Sequence, residues 1–142
     1  MNRIALITGA SRGLGKTLAG FLAAQGADLV ITARGATDLR ATARELEELG
    51  SAVIAIPGDI TDEGHRLALA HAVESLGGLD LLINNASTLG ATPLPALVDY
   101  PLDALATSLD VNVIGPLALV QAVLPSLIQR RGLVVNISSD AA

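Results

Sequence analysis

Short apolar runs alternate along this chain with longer stretches in which apolar residues recur every three or four positions. The apolar runs show little polar alternation and stop at glycine, proline or asparagine, which is typical of strands buried on both faces of a parallel sheet. Five such strands are predicted, at residues 4–7, 27–33, 52–56, 79–84 and 133–137. The alternation of strands with helical stretches indicates the α/β class.

Four helices are predicted between the strands. They cover residues 14–25, a segment from a Thr37 cap to Gly50, a segment from a Thr61 cap to Gly77, and residues 102–130. The fourth contains Gly115-Pro116 and Pro125. We expect it to bend or divide near both, because proline removes a backbone donor and crowds the preceding turn.

Strands that are each separated by a helix predict a doubly wound parallel sheet. Right-handed crossovers give the strand order 3-2-1-4-5, with helices on both faces. In such a sheet a ligand binds beyond the carboxyl ends of the strands where the order reverses, here between strands 1 and 4. The chain has 142 residues and no low-complexity tract or linker, so a single domain is expected.

Composition excludes several classes of function. Without cysteine, the chain has no disulfide, thiolate metal site or cysteine nucleophile. A net charge of −5 and the scatter of nine basic residues argue against a nucleic-acid surface. His65 and His71 stand six positions apart on one predicted helix, which is a poor spacing for joint metal ligation. Both are expected at the solvated surface, and no metal site is predicted.

Neither a membrane span nor a secretory leader is predicted. The most apolar segment, residues 113–128, is short and is interrupted by Pro116, Gln121 and Pro125. At the N-terminus, Arg3 precedes an apolar run of only four residues. The expected location is the cytoplasm, without a membrane partner.

A glycine-spaced turn follows the first strand, in Thr8-Gly9-Ala10-Ser11-Arg12-Gly13-Leu14-Gly15. Gly9 permits a tight turn, while Gly13 and Gly15 allow a ligand to approach the backbone and the helix to pack closely. The helix that follows directs its free amide groups and the positive end of its dipole to this turn. We therefore expect the turn to bind an anion such as a diphosphate. A plain glycine-rich β-to-α turn is the alternative.

Together with four later motifs, this turn resembles the N-terminal part of the short-chain dehydrogenase/reductases. The motifs are Thr8-Gly9-x-x-x-Gly13-x-Gly15, Asp59 after strand three, Asn84-Asn85-Ala86 closing strand four, Asn112 in the long helix, and Asn136-Ile137-Ser138-Ser139 after strand five. Each stands at the end of the corresponding predicted element. The resemblance implies a Rossmann-type fold that binds a nicotinamide dinucleotide.

The resemblance also assigns residues to parts of that cofactor. Gly9, Ser11, Arg12 and Leu14 would line the phosphates around Gly13 and Gly15, Asp59 and Ile60 would meet the adenine, and Asn85 and Ala86 would lie beside the ribose near the nicotinamide. Two alternatives stay open. Asn84 and Asn85 could satisfy backbone groups at the strand ends, and Asp59 could cap a turn.

Charge at the end of strand two bears on which cofactor is bound. An acidic residue there would accept a hydrogen bond from the ribose 2′-hydroxyl of NAD. This chain has Ala33-Arg34 instead. Arg34 and Arg12 could both reach a 2′-phosphate, whose geometry a guanidinium fork matches, so NADP is predicted rather than NAD. The alternative for Arg34 is a solvated loop charge.

Catalysis in the resembled family uses an asparagine, a serine, a tyrosine and a lysine. Its serine corresponds to Ser138 or Ser139, and Ser139 is preferred because the small-residue run 140–142 follows it directly; this serine is predicted to hold the substrate carbonyl or alcohol oxygen. Asn112 is predicted to hold a water of the proton relay, the alternative being a polar residue at a helix bend. The family's Tyr-x-x-x-Lys pair is missing from these 142 residues, in which Tyr100 is the only tyrosine and Lys16 the only lysine.

The resulting hypothesis is an NADP-dependent oxidoreductase that transfers hydride between the nicotinamide and a small carbonyl or alcohol substrate. The 142 residues are interpreted as an incomplete domain that lacks the family's later elements, is inactive alone and is homo-oligomeric in its full-length form. Two alternatives remain: a non-catalytic NADP-binding module or split half that needs a second chain, and a remnant without a stable fold.

Overall fold

Five parallel strands with helices between them make up the computed structural model, which describes residues 2–139. The elements are β1 Ile4–Thr8, α1 Gly13–Ala24, β2 Asp28–Ala33, α2 Ala36–Glu48, β3 Val53–Pro57, α3 Glu63–Leu76, β4 Leu81–Asn84, α4 Leu102–Leu109, α5 Gly115–Arg130 and β5 Leu133–Asn136. The strand order is β3-β2-β1-β4-β5, and every pairing is parallel. This confirms the predicted α/β fold and its 3-2-1-4-5 order.

The central strand β1 is buried along its whole length and divides the apolar core in two. Successive side chains of a strand point to opposite faces of the sheet. Leu6 accordingly packs with Leu69 and Leu119 of α3 and α5, whereas its neighbour Ile7 packs with the core on the α1 and α2 side. Burial on both faces explains why β1 reads as an unbroken apolar run.

Two predicted helix caps are wrong, at Thr37 and Thr61. The N-cap of α2 is Gly35, which has no side chain to cap the helix. For α3 the cap is Asp62, whose carboxylate accepts from the backbone N–H of His65 at 2.8 Å. The Thr61 hydroxyl instead donates to Asp59 Oδ1 at 2.8 Å.

The long helix bends at one of the two predicted places. Between α4 and α5 the chain makes a π-helical turn, Asp110–Ile114, and Pro116, which has no backbone N–H, lies in the first turn of α5. At Pro125 the helix is not divided, since α5 continues through this residue to Arg130.

Helix 102–130 also bears on the predicted absence of a membrane span. With 29 residues and a mean hydropathy of 1.8 in its most apolar 18-residue stretch, it is the one helix in residues 2–139 long and apolar enough to cross a membrane. Length and composition are weak evidence for a span. Leu119, Val123 and Leu127 of this helix are buried in the core against the sheet and α3.

Candidate functional site

A cavity of about 490 Å³ opens at the carboxyl ends of the strands, where the order reverses between β1 and β4. Five segments contribute to its wall: the turn after β1, the end of β2 with the start of α2, the loop after β3, the loop after β4, and the π-helical turn before α5. The lining residues are Thr8, Gly9, Ser11, Arg12, Gly13, Thr32, Ala33, Arg34, Gly35, Asp38, Gly58, Asp59, Ile60, Asn85, Ala86, Ser87 and Val111.

The three glycines of the first turn are required for different reasons. Gly9 and Gly13 adopt left-handed backbone conformations, with φ of +66° and +57°, which side chains disfavour. At Gly15 a Cβ would collide with the carbonyl oxygen of Gly9 and lie 2.5 Å from Nδ2 of Asn85. A Cβ at Gly13 would meet no protein atom within 4 Å. The missing side chain therefore leaves open space on the cavity wall.

Thr8 and Asn85 join the ends of β1 and β4 beneath the cavity. The Thr8 hydroxyl accepts from the backbone N–H groups of Asn85 and Ala86, at 3.0 and 2.9 Å. Asn85 Nδ2 donates to the carbonyls of Thr8 and Gly9, at 3.1 and 3.2 Å. The side-chain amide of Asn85 therefore satisfies strand-end backbone groups, while the residue also lines the cavity. Sequence reasoning missed Thr8, although a hydroxyl at a strand end is a recognisable signal.

Asp59 occupies the opposite end of the cavity and also holds its own turn. Its Oδ1 accepts from the backbone N–H of Thr61 at 2.9 Å and from the Thr61 hydroxyl. These two hydrogen bonds hold the pKa of Asp59 below its usual range, and the charges of Arg34 and His65 act in the same direction. Asp59 is therefore an ionised group on the wall, next to buried Ile60.

Two arginines line the same cavity. Among residues 2–139, neither Arg12 nor Arg34 makes a side-chain hydrogen bond to the protein. By contrast, Arg66 donates to the carbonyl of Ile60 at 2.9 Å, and Arg130 donates to Asp80. The two cavity guanidiniums thus keep their donors available.

Asp38 is a cavity residue that sequence reasoning missed. It lies in the first turn of α2, and the N-terminus of that helix reaches the carboxyl edge of the sheet directly after β2. An acidic residue in the first turn of a helix following a strand was the available signal. Its carboxylate shares the cavity with Arg34.

Nine of the eleven predicted cofactor residues line the cavity: Gly9, Ser11, Arg12, Gly13, Arg34, Asp59, Ile60, Asn85 and Ala86. The other two, Leu14 and Gly15, lie in the first turn of α1 and are not part of the wall formed by residues 2–139. Leu14 is 52% exposed, whereas Gly15 is buried against the turn.

Asn112 lies in the π-helical turn, and its side chain is hydrogen-bonded to the loop after β4. Its Oδ1 accepts from the backbone N–H of Thr88, and its Nδ2 donates to the Thr88 carbonyl, both at 2.9 Å. Turns of this kind occur frequently at functional sites. The side-chain amide is engaged in this contact, which favours the interpretation of Asn112 as a polar residue at a helix bend.

Ser139 follows β5 at the same edge of the sheet and is exposed. The end of β5 is in register with the end of β4, where Asn84 Nδ2 donates to Asn136 Oδ1 at 2.9 Å. Asn84 Oδ1 is buried without a partner in residues 2–139. The run 140–142, which favoured Ser139 over Ser138, lies outside the described residues.

The prediction that both histidines are at the surface is wrong for His65. Its side chain is buried, with 8% of the residue exposed, and Nε2 lies 2.8 Å from the Thr32 hydroxyl. Burial lowers the pKa of His65, Asp62 and Asp59 oppose this shift, and Arg66 adds to it. The side chain of His71 is 80% exposed, as predicted.

Comparison with known proteins identifies the family. The sequence pattern of short chain dehydrogenases matches residues 3–142. A serine 3-dehydrogenase of Rhizobium radiobacter is 39% identical over 144 residues, a match that covers 100% of this chain and 55% of that protein. The chain spans about half the length of the curated relatives it matches.

Solved structures agree in fold. An alcohol dehydrogenase from the archaeon Thermococcus sibiricus, complexed with 5-hydroxy-NADP, has a TM-score of 0.90 and 30% identity over 99% of this chain and 59% of that one. A 3-oxoacyl-[acyl-carrier protein] reductase from Brucella melitensis, in complex with NAD, has a TM-score of 0.86 and 33% identity over 98% of this chain and 56% of that one. The chain belongs to the short chain dehydrogenase family of oxidoreductases, which have the NAD(P)-binding Rossmann fold.

Proposed function

We propose that this chain is the cofactor-binding part of an NADP-dependent oxidoreductase that transfers hydride between the nicotinamide and a carbonyl or alcohol substrate. The observation that carries the proposal is that two arginines, Arg12 and Arg34, lie on the wall of one cavity and that neither side chain is hydrogen-bonded to the protein within residues 2–139. Structurally similar proteins are bound to 5-hydroxy-NADP and to NAD, so cofactor choice has to be argued from this chain's own residues.

The cavity wall suits a dinucleotide diphosphate. The open space at Gly13, where a Cβ would meet no protein atom, allows close approach of an anion to the backbone. The adjacent N-terminus of α1 has no acidic residue in its first turn, so its dipole and free amides are not neutralised by the protein. Gly9, Ser11 and Arg12 would bind the phosphates at this place.

The other end of the cavity suits a ribose that carries a 2′-phosphate. Arg34 directly follows β2 and would pair with the phosphate, with Arg12 as a second donor. Asp59 and Ile60 would contact the adenine from the loop after β3. Asp38 opposes this preference, because a carboxylate repels the extra phosphate.

Substrate chemistry would take place near Ser139 and the loop after β4. The nicotinamide, when bound, supplies or accepts the hydride. Ser139 would hold the substrate oxygen from the end of β5, and Asn112 would maintain the loop at Thr88 through its two hydrogen bonds. Residues 1–142 contain no Tyr-x-x-x-Lys pair, so we assign the proton donor to none of them.

Paired titrations of NADPH and NADH test the proposed cofactor. Replacing Arg34 with alanine removes a charged hydrogen bond worth about 1.5 to 3 kcal/mol, so NADPH binding should weaken roughly 10- to 100-fold. NADH binding should change little, because NADH has no 2′-phosphate. Arg40→Ala on the exposed side of α2 is the matched control and should bind both cofactors like the wild type.

An equal loss of NADPH and NADH binding in Arg34→Ala would contradict the assignment of this arginine to the 2′-phosphate. Failure of the unmodified protein to bind either cofactor would refute the proposed function as a whole. Cytoplasmic location and homo-oligomerisation of the full-length protein remain predictions.

A further inference from the structure

The buried histidine His65 has no role in the cofactor contacts described above. His65 is the only histidine or charged residue that is buried in residues 2–139. It lies on α3 beneath the loop that carries Asp59, and it does not line the cavity. A buried imidazole loses hydration, and its hydrogen bonds within the protein have to compensate for that loss.

His65 contacts two of the segments that form the cavity wall. Its Nε2 is hydrogen-bonded to the Thr32 hydroxyl near the end of β2, at 2.8 Å. The other side of its ring packs against Gly58, where a Cβ would lie only 2.6 Å from Cγ and Cε1 of the imidazole. Position 58 is therefore restricted to glycine by the ring.

Backbone hydrogen bonds connect these two contacts to the rest of the wall. The carbonyl of Thr32 accepts from the N–H of Ala10 in the glycine turn, at 3.1 Å, and the N–H of Gly58 donates to the carbonyl of Ala33 at 3.0 Å. Arg34 is the next residue after Ala33. The side chain of His65 thus supports the backbone from which both Arg34 and Asp59 project.

We propose that His65 is a positioning residue for the 2′-phosphate end of the cofactor site, acting through the Thr32 hydroxyl and Gly58 on Arg34. This inference rests on the proposed function, because it requires that Arg34 binds the 2′-phosphate. His65 itself touches neither the cofactor nor the reacting atoms. Its removal should reduce the preference for phosphorylated ribose and leave the nicotinamide end unaffected.

The test compares adenosine 2′,5′-bisphosphate with 5′-AMP as probes of this end of the site, using the full-length protein. In His65→Leu, which keeps the bulk but loses the polar atoms, the bisphosphate should bind roughly five- to tenfold more weakly and the preference over 5′-AMP should fall. His65→Gln presents a polar group towards Thr32 and should recover most of the preference. His71→Leu, on the exposed face of the same helix, is the control and should match the wild type.

A second variant addresses the possibility that His65→Leu does not fold. Thr32→Val removes only the hydroxyl and should cause a similar loss, and the double variant should lose no more than either single variant, because both act through one hydrogen bond. Losses that add, or a wild-type preference that survives His65→Leu, would overturn this inference alone. A wild-type protein that binds both probes equally would refute the proposed NADP preference and this inference with it.

Discussion

Two glycines of α1 allow a matched test of the close contact beneath the site. Gly15 is buried, and an added methyl would meet the Gly9 carbonyl and the Asn85 amide nitrogen, the latter at 2.5 Å. Gly20 lies five residues further along the same helix, and an added methyl there would have no protein atom within 4 Å. Both substitutions replace glycine with a better helix former, Gly15 in the first turn of α1 and Gly20 in its interior, and the main difference between them is what the new methyl meets.

The magnitudes follow from these surroundings. Gly20→Ala should stabilise the protein by about 0.5 to 1 kcal/mol, since alanine is the better helix former. In Gly15→Ala the same gain is opposed by about 1 to 3 kcal/mol of overpacking. Displacement of Asn85 also weakens its hydrogen bond to the Gly9 carbonyl, a loss of about 0.5 to 1.5 kcal/mol. The net effect should be a destabilisation of roughly 0.5 to 4 kcal/mol.

Urea unfolding followed by circular dichroism measures both effects, and an NADPH titration of the same samples adds the functional consequence. Because Gly9 and Asn85 line the cavity, Gly15→Ala should also weaken NADPH binding, while Gly20→Ala should leave it unchanged. If Gly15→Ala is as stable as Gly20→Ala and binds NADPH normally, then the cavity does not depend on close packing between the glycine turn, α1 and the loop after β4.

Three further results are expected. Asp38→Asn should strengthen NADPH binding about two- to fivefold relative to NADH in parallel titrations, because it removes a repulsive charge from the cavity. An unchanged ratio of the NADPH and NADH affinities would mean that Asp38 does not interact with the 2′-phosphate. Thr8→Val should lower the free energy of unfolding by about 2 to 4 kcal/mol, because two backbone amides lose their acceptor; a loss below that range would mean that water replaces it. The pKa of His65 is lowered in the folded state, so the unfolded chain binds more protons at this residue. The contribution of the His65 imidazole to the free energy of unfolding is therefore fully present above about pH 6.5, the pKa in the unfolded chain, and is lost as the pH falls below that value. His65→Gln should remove that component from stability measured against pH and His71→Gln should keep it; identical profiles for wild type and His65→Gln would contradict the buried, neutral imidazole.

The fold was predictable because its signals are local. A strand buried on both faces needs an unbroken apolar run, and the right-handed crossover rule then fixes the strand order once strands alternate with helices. Likewise the glycine turn carries its own geometric requirement, so Gly9 and Gly13 could be assigned before their positive φ angles were seen.

Errors arose where a choice depends on contacts that are distant in sequence. Thr61 and Asp62 are both good helix caps, but in the fold the Asp62 carboxylate accepts from the N–H of His65, whereas the Thr61 hydroxyl donates to Asp59. For His65 a local signal existed, because it stands four and eight positions before Leu69 and Val73 and so shares their buried face. Its partner Thr32, however, lies 33 positions away on β2.

Asp38 shows a different limit of sequence reasoning. The prediction of cofactor preference considered the end of β2, where Arg34 stands, and not the helix that follows. The fold brings the first turn of α2 to the same cavity, so the Asp38 carboxylate and the Arg34 guanidinium both lie on its wall. Which of the two side chains would contact a bound ribose depends on how each is placed in the fold, and no local sequence pattern encodes that placement.

Arg12 and Arg34 are proposed to bind the 2′-phosphate of NADP in the cavity at the carboxyl edge of the sheet. A crystal structure of the full-length protein with NADPH tests it most directly. We expect the diphosphate against the turn from Gly9 to Gly13, and the 2′-phosphate within hydrogen-bond distance of both guanidiniums. A ribose hydrogen-bonded to Asp38 with the arginines turned to solvent, or a cofactor bound outside this cavity, would contradict the account.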